Sequence, residues 1–303
     1  MARLEAPEWP ESATLEDLAR ALENPARHFA RTRLQLYLDG AGDVVLEDAE
    51  PFDPNHLDRY KIQHAVIEGA LHGDPRVAPQ ARQRFHLSGA APEHPLVDDQ
   101  LDEWQSRAEQ FTGCLLRAGA ATVRPEPVAI AEAGLTVEAD LPLTSDGDLL
   151  FWRLATARGR DWLRLWLYHL VANTRQPVAT RGYFRGKKTE QLRHIAFAPL
   201  EAADARGNLG AWVRFWGASL CEPSPCHADL GVAMAADEYK PAQFAGLWNN
   251  EYQGRGVGRD AYMAWFWPQP PEQGALLEVL QPLYGPMLQH AQIEDVPLEM
   301  VDD

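Results

Sequence analysis

A chain of 303 residues, 46% apolar and 24% charged, has material for an ordinary buried core in one large domain or two small ones. Its 22 glycines and 23 prolines show no collagen-like period, no run of 18 apolar residues reads as a membrane span, and the acidic, proline-broken first 20 residues do not read as a signal peptide. Three cysteines (Cys114, Cys221, Cys226) are too few for a disulfide framework, which predicts free thiols in a reducing cytoplasm, and a net charge of −16 argues against a general nucleic-acid coat protein.

With no repeat and no long linker, the chain reads as a single domain, 1–303, in three parts. The first, 12–120, is helical. Ser12 or Thr14 can cap a helix with apolar residues at Leu15, Leu18 and Leu22, ending near Asn24-Pro25. A second helix runs from Pro25 to about Tyr37 with Phe29 and Leu36 inward, and further helical periodicity falls at Tyr60 to Leu71 and Leu101 to Leu116. Between those two, Gly73 to Pro95 reads as loop with short helical pieces.

The second part, 121–200, changes period. Pro127 to Ala131, Leu135 to Leu143 and Leu149 to Leu154 are short strands, separated by Ala133-Gly134 and by Ser145-Asp146-Gly147-Asp148. They predict an antiparallel meander. Next comes a helix from about Arg158 to Asn173, apolar around most of its circumference and therefore buried against the sheet. Val178 to Phe184 and Leu192 to Phe197 then extend the sheet on either side of the basic turn Arg185-Gly186-Lys187-Lys188. The third part, 201–303, returns to helices, with Trp212 and Trp216 on one face and a glycine-rich break at Gly254 to Gly258.

Charge is unevenly spread: from Phe151 to His194 there are ten basic and two acidic residues, a segment of +8 that leaves −24 for the rest. Such a footprint suits a polyanion, and a cluster pairing with acids of its own fold would look identical in sequence. Alternation puts Arg181, Tyr183 and Arg185 on one face of their strand. The DNA-backbone candidates are therefore Arg181, Arg185, Lys187, Lys188 and Arg193; a solubilising hairpin tip is the structural alternative.

Helices, three strands, a buried helix and more strand follow the order of the restriction-endonuclease-like nuclease core. The expected fold is thus α/β (α+β), a mixed sheet with helical N- and C-terminal parts. The chemistry of that core needs carboxylates on adjacent strands to hold Mg²⁺, and a lysine beside them to orient water. Asp140 stands on the second strand, but the third reads Leu149-Leu150-Phe151-Trp152-Arg153, where phenylalanine cannot ligate a metal and arginine keeps its proton. The nuclease site reads as degenerate at Asp140, Phe151 and Arg153, and no catalytic or metal residue is assigned.

Only four lysines exist, so a search for [Asp/Glu]-x-Lys finds one triplet, Glu238-Tyr239-Lys240, in the helical third part without strand alternation. Gly182 to Lys187 has three residues between its glycines, one short of a phosphate loop, and Lys188 where Ser/Thr is required. Gly254-x-Gly256-x-Gly258 lacks dinucleotide-binding spacing, and Cys221-x₄-Cys226-His227 lacks a second zinc-ligand pair. Trp212/Trp216 and Trp265/Trp267 are candidate docking anchors on helix faces outside the sheet, with burial in the core as the alternative.

An ordered set of short stretches is similar to the C-terminal domain of RecC, the gamma subunit of exodeoxyribonuclease V. They are Leu15-Glu16-Asp17-Leu18 through Asn24-Pro25-Ala26-Arg27-His28-Phe29 and Arg33-Leu34; Glu50-Pro51-Phe52; Leu57-Asp58-Arg59-Tyr60-Lys61-Ile62-Gln63; Asp146-Gly147-Asp148 through Arg153; Leu165 through Val171; and Arg255-Gly256-Val257-Gly258 with Asp260. They run in order over nearly the whole chain. The resemblance implies the fold of the RecB nuclease without its active site, docking on RecB-like and RecD-like subunits and guidance or splitting of double- and single-stranded DNA. It also implies that Mg and ATP are used by those partners, and that the chain has no cofactor of its own and no membrane. Related nuclease domains with an iron–sulfur cluster carry Cys-Pro at Asn24-Pro25, so a cluster is not expected. The family's N-terminal helicase-like region, which reads Chi, has no counterpart here. A working Mg²⁺-dependent nuclease and a pure protein-interaction domain are the alternatives.

Overall fold

Short-range chemistry sets the beginning of the fold. In the computed structural model, which describes residues 3–38, 56–88, 95–186, 188, 191–249 and 256–298, Thr14 ends a short strand β1 (Ser12–Thr14) and caps α1 (Leu15–Glu23). Its hydroxyl accepts Asp17 N–H at 3.1 Å, and Leu15, Leu18 and Leu22 are buried at the predicted spacing. Asn24 ends α1 and starts α2 (Pro25–Arg33), its Oδ1 accepting Arg27 N–H at 3.0 Å ahead of a proline in the first turn. This second helix stops short of the predicted Tyr37 because Gln35 adopts a left-handed conformation (φ 52°), which no helix continues.

α3 (His56–Leu71), α4 (Val77–Leu87) and α5 (Pro95–Arg117) follow, so the stretch read mainly as loop contains an eleven-residue helix. These helices cover one face of the sheet, where Ile67, Phe111 and Leu115 pack with Leu150 and Leu192. The matched stretch at Glu50 to Phe52 lies outside the described residues.

β2 (Arg124–Glu132) and β3 (Leu135–Leu143) form the predicted hairpin, antiparallel along their whole length. Ala133 (φ 49°) and Gly134 (φ 85°) supply the two left-handed turn residues that match the twist of the strands. β4 (Leu149–Arg153) departs from the predicted meander, since it pairs with β3 only at Leu143↔Leu149. With β2 along one edge of β3, the other edge is shared by β1, parallel at residues 136–138, and by β4 at the opposite end. Strands β3 and β4 therefore splay apart.

α6 (Gly159–Asn173) crosses over to β5 (Thr180–Arg185), which runs parallel to β4. It buries Trp162, Leu163, Trp166, Leu167 and Leu170 on the second face, as its apolar circumference requires. β6 (Gln191–Phe197) returns antiparallel to β5, and α7 (Ala202–Ser219), α8 (Ala228–Met234), α9 (Phe244–Asn249), α10 (Ala261–Phe266) and α11 (Gln273–His290) follow. The third part is not wholly helical: β7 (Ala291–Pro297) rejoins the sheet antiparallel to β6. The result is a mixed α/β fold whose seven-stranded sheet carries helices on both faces. Among the described residues no helix is long and apolar enough to cross a membrane.

Candidate functional site

Two regions carry the residues singled out by sequence: the splay between β3 and β4, and the basic segment from β4 to β6. At the splay, Asp140, Glu138, Glu16 and Tyr168 line a cleft of about 590 Å³. Burial raises the Tyr168 phenol above its ordinary pKa, and the charges of Glu16 and Asp140 push it the same way. Strand alternation puts Glu138 and Asp140 on the face of β3 opposite Leu135, Val137 and Leu141. Phe151 and Arg153 are on the α6-facing side of β4, in line with Leu149, so Asp140 does not share a face with Phe151 and Arg153.

Phe151 and Arg153 are also engaged within the fold. Phe151 packs edge-on against Tyr168 of α6, with ring centroids 5.1 Å apart. Arg153 donates to the Asp161 carboxylate in the first turn of α6 and to Thr156 O at 3.0 Å. Among the described residues no three His, Cys, Asp or Glu side chains converge to hold a metal ion. The triplet Glu238-Tyr239-Lys240 lies in a turn, with Glu238 and Lys240 exposed and the Tyr239 hydroxyl accepting from Gln273 Nε2 at 2.7 Å.

Much of the basic segment is matched by acids of the same fold. Arg164 pairs with Glu16, Arg175 with Glu126 at 3.2 Å, Arg181 with Asp148 at 2.9 Å and Arg193 with Asp295 at 2.7 Å. The bidentate contact with Asp295 raises the Arg193 pKa. Register separates the DNA-backbone candidates as well: Arg181 and Arg185 face α3 and α5 with Leu192, whereas Arg193, opposite Phe184, faces the α6 side. Of the lysines in the turn, Lys188 is exposed and Lys187 lies outside the described residues.

Other arginines have no acid partner among the described residues. Arg59 on α3, Arg158 and Arg160 at the start of α6, and Arg185 at the end of β5 converge with Arg153 and Tyr60 on a groove of about 600 Å³. Arg59 and Arg185 also border a narrow hollow with Arg107. Burial lowers the Arg185 pKa, and the positive charges of Arg59 and Arg107 lower it further. Asp161 does not neutralise the groove, since it holds Arg153 and accepts Arg158 N–H at 2.7 Å. Sequence reasoning counted Arg158 and Arg160 in the basic segment without placing them in a site, and it named Arg59 only within a stretch similar to the family. No charge pattern around Arg59 marks it for a basic site, since the other arginines of the groove begin at Arg153, more than 90 positions along the chain.

The remaining motifs find structural roles. Trp212 and Trp216 are buried, Trp212 edge-on to Tyr284 at 5.0 Å and Trp216 to Trp9 at 5.5 Å, so they are core residues and not docking anchors. Trp267 is half-buried against Phe266, while Trp265 is 61% exposed. Cys221 and Cys226 are free and buried, burial pushing the Cys226 thiol up to about 11, and His227 caps α8. Gly254 and Arg255 lie outside the described residues.

A family model of the RecC C-terminal domain matches residues 10–239. The RecBCD enzyme subunit RecC of Escherichia coli (strain K12) is 25% identical over 305 aligned residues, covering 93% of this chain and 26% of that protein. The RecBCD enzyme subunit RecC of Buchnera aphidicola subsp. Schizaphis graminum (strain Sg) is 25% identical over 158 residues, 52% of this chain and 14% of that protein. The chain thus spans about a quarter or less of the length of these relatives. A match that covers α1 through α8 and includes the splayed strands is decisive for family: the chain belongs to the RecC C-terminal domain family.

Proposed function

We propose that the chain is a non-catalytic domain of a RecBCD-type helicase and nuclease, serving DNA repair and recombination. In this reading it docks on RecB-like and RecD-like subunits and guides or splits DNA, while Mg and ATP are used by the partners. The observation that carries it is the occupancy of the nuclease positions. Where a restriction-endonuclease-like core needs an acid and a lysine, Phe151 is packed on Tyr168 and Arg153 is held by Asp161. An arginine so held is committed to Asp161 and Thr156 and is not turned toward water near Asp140. Docking and DNA guidance are carried over from the family.

Two experiments test the reading. Linear and single-stranded DNA incubated with the chain in Mg²⁺ or Mn²⁺ is expected to stay intact; cleavage lost in Asp140→Ala would establish the working nuclease instead. Tagged chain produced with the RecB-like and RecD-like proteins of its own source is expected to co-purify with both. Failure to retain either one refutes the docking role.

A further inference from the structure

We infer that the groove formed by Arg59, Arg158, Arg160 and Arg185 binds the phosphodiester backbone of single-stranded DNA. The inference deepens the DNA-guiding reading above and rests on it for the choice of ligand, but the site itself stands on charge and geometry. This protein has 44 acidic residues against 28 basic ones, and in the segment from β4 to β6 it matches Arg153, Arg164, Arg175, Arg181 and Arg193 with carboxylates. In a chain so rich in acids, arginines that have no acid partner among the described residues and share one groove stand out. Arg59, Arg158, Arg160 and Arg185 are those residues, and among the described residues no carboxylate lines the groove.

Leaving them unmatched costs free energy, because like charges are crowded around a half-buried guanidinium; Arg185 titrates lower than an ordinary arginine because burial disfavours its charge and, second, because Arg59 and Arg107 repel it. A bound polyanion relieves the repulsion. Guanidinium groups suit phosphate oxygens, to which they donate paired hydrogen bonds with charge assistance. The aromatic wall selects the form of nucleic acid. Tyr60 lines the same groove and begins a row of rings, 5.7 Å from His64, which is 5.2 Å from Trp152. A basic groove with a ring beside it is the arrangement that tracks a single-strand backbone while a base stacks, without reading its identity. The site lies beyond the ends of parallel strands β4 and β5, at the opposite end of β4 from its single contact with β3.

The test is fluorescence anisotropy of the 303-residue chain with a labelled oligo(dT) of about 15 nucleotides across a salt series. Arg158 and Arg160 are exposed, so the double variant Arg158→Gln/Arg160→Gln is expected to keep the wild-type circular dichroism. It is expected to bind about tenfold or more weakly near 0.1 M salt, with a log–log salt slope smaller by about 1.4, or roughly 0.7 per lost phosphate contact. Tyr60→Leu is expected to weaken binding without changing the slope, and Arg124→Gln on β2 to change neither.

No binding by the wild-type chain, or equal affinity and slope in the double variant, overturns the site. Tighter binding of a hairpin duplex, or of a poly-glutamate peptide of similar length, assigns the groove to another ligand and also overturns it. Partner capture separates this inference from the reading it extends. The double variant is expected to co-purify with the RecB-like and RecD-like subunits as the wild type does, so anisotropy failing while capture succeeds removes the groove alone.

Discussion

Replacing Asn173 by alanine should be among the most destabilising single changes in the protein. Its side chain is fully buried at the end of α6, and every polar atom is used. Oδ1 accepts the backbone N–H groups of Val178 at 3.0 Å and Leu200 at 2.9 Å, while Nδ2 donates to the carbonyls of Val178 at 2.9 Å and His169 at 2.8 Å. One amide thereby joins α6, the approach to β5 and the segment between β6 and α7. Alanine leaves two N–H groups and one carbonyl without partners in a site too buried for water to replace them. At about 1–3 kcal/mol for each buried group left unsatisfied, and with partial relaxation, the loss is about 3–5 kcal/mol. That is a large share of the roughly 5–15 kcal/mol available to a folded domain. Urea denaturation followed by tryptophan fluorescence, with Asn173→Asp alongside, measures it. Aspartate keeps the acceptors but loses both donors and buries a charge, so it should also destabilise strongly. A loss below about 1 kcal/mol in Asn173→Ala would refute the reasoning, since it would mean these bonds hold nothing that the backbone cannot satisfy otherwise.

Acid should weaken the fold through its buried histidines. Burial, reinforced by the charge of His290, lowers His169 to about 3, so the unfolded chain takes up this proton near the ordinary value while the folded chain does not. Stability from His169 is complete above pH 6.5 and is lost as pH falls toward 3, by about 2 kcal/mol at pH 5; His28, His194 and His227 are shifted the same way. Urea titrations from pH 7.5 to 5 should show the midpoint falling, less steeply in a folded His169→Gln variant. Gly217→Ala should cost about 1–3 kcal/mol, because a Cβ there would come within 2.1 Å of the Trp9 ring in the packed core; an unchanged denaturation midpoint would contradict it. The double variant Phe151→Asp/Arg153→Lys should remain unable to cut linear DNA in Mg²⁺ or Mn²⁺, since Asp140 lies on the other face of its strand.

The sequence alone determined what depends on neighbours along the chain. Thr14 and Asn24 announced the starts of α1 and α2, Ala133-Gly134 the hairpin, and the all-round apolar surface of Trp162 to Val171 a helix buried on a sheet. The ordered motifs sufficed to find the family. Only tertiary structure decided how distant segments pair: that β7 returns to the sheet, that β3 and β4 splay after one pair, and that Trp212 and Trp216 belong to the core. Charge shows the physical reason most clearly. Ten basic residues in one segment look alike in sequence, yet Arg193 is tied to Asp295 about 100 positions away, while Arg185 lies with Arg59, Arg158 and Arg160 and, among the described residues, without an acid. Electrostatic energy follows distance through space, and the chain's order carries no record of which carboxylate folding will bring to which arginine.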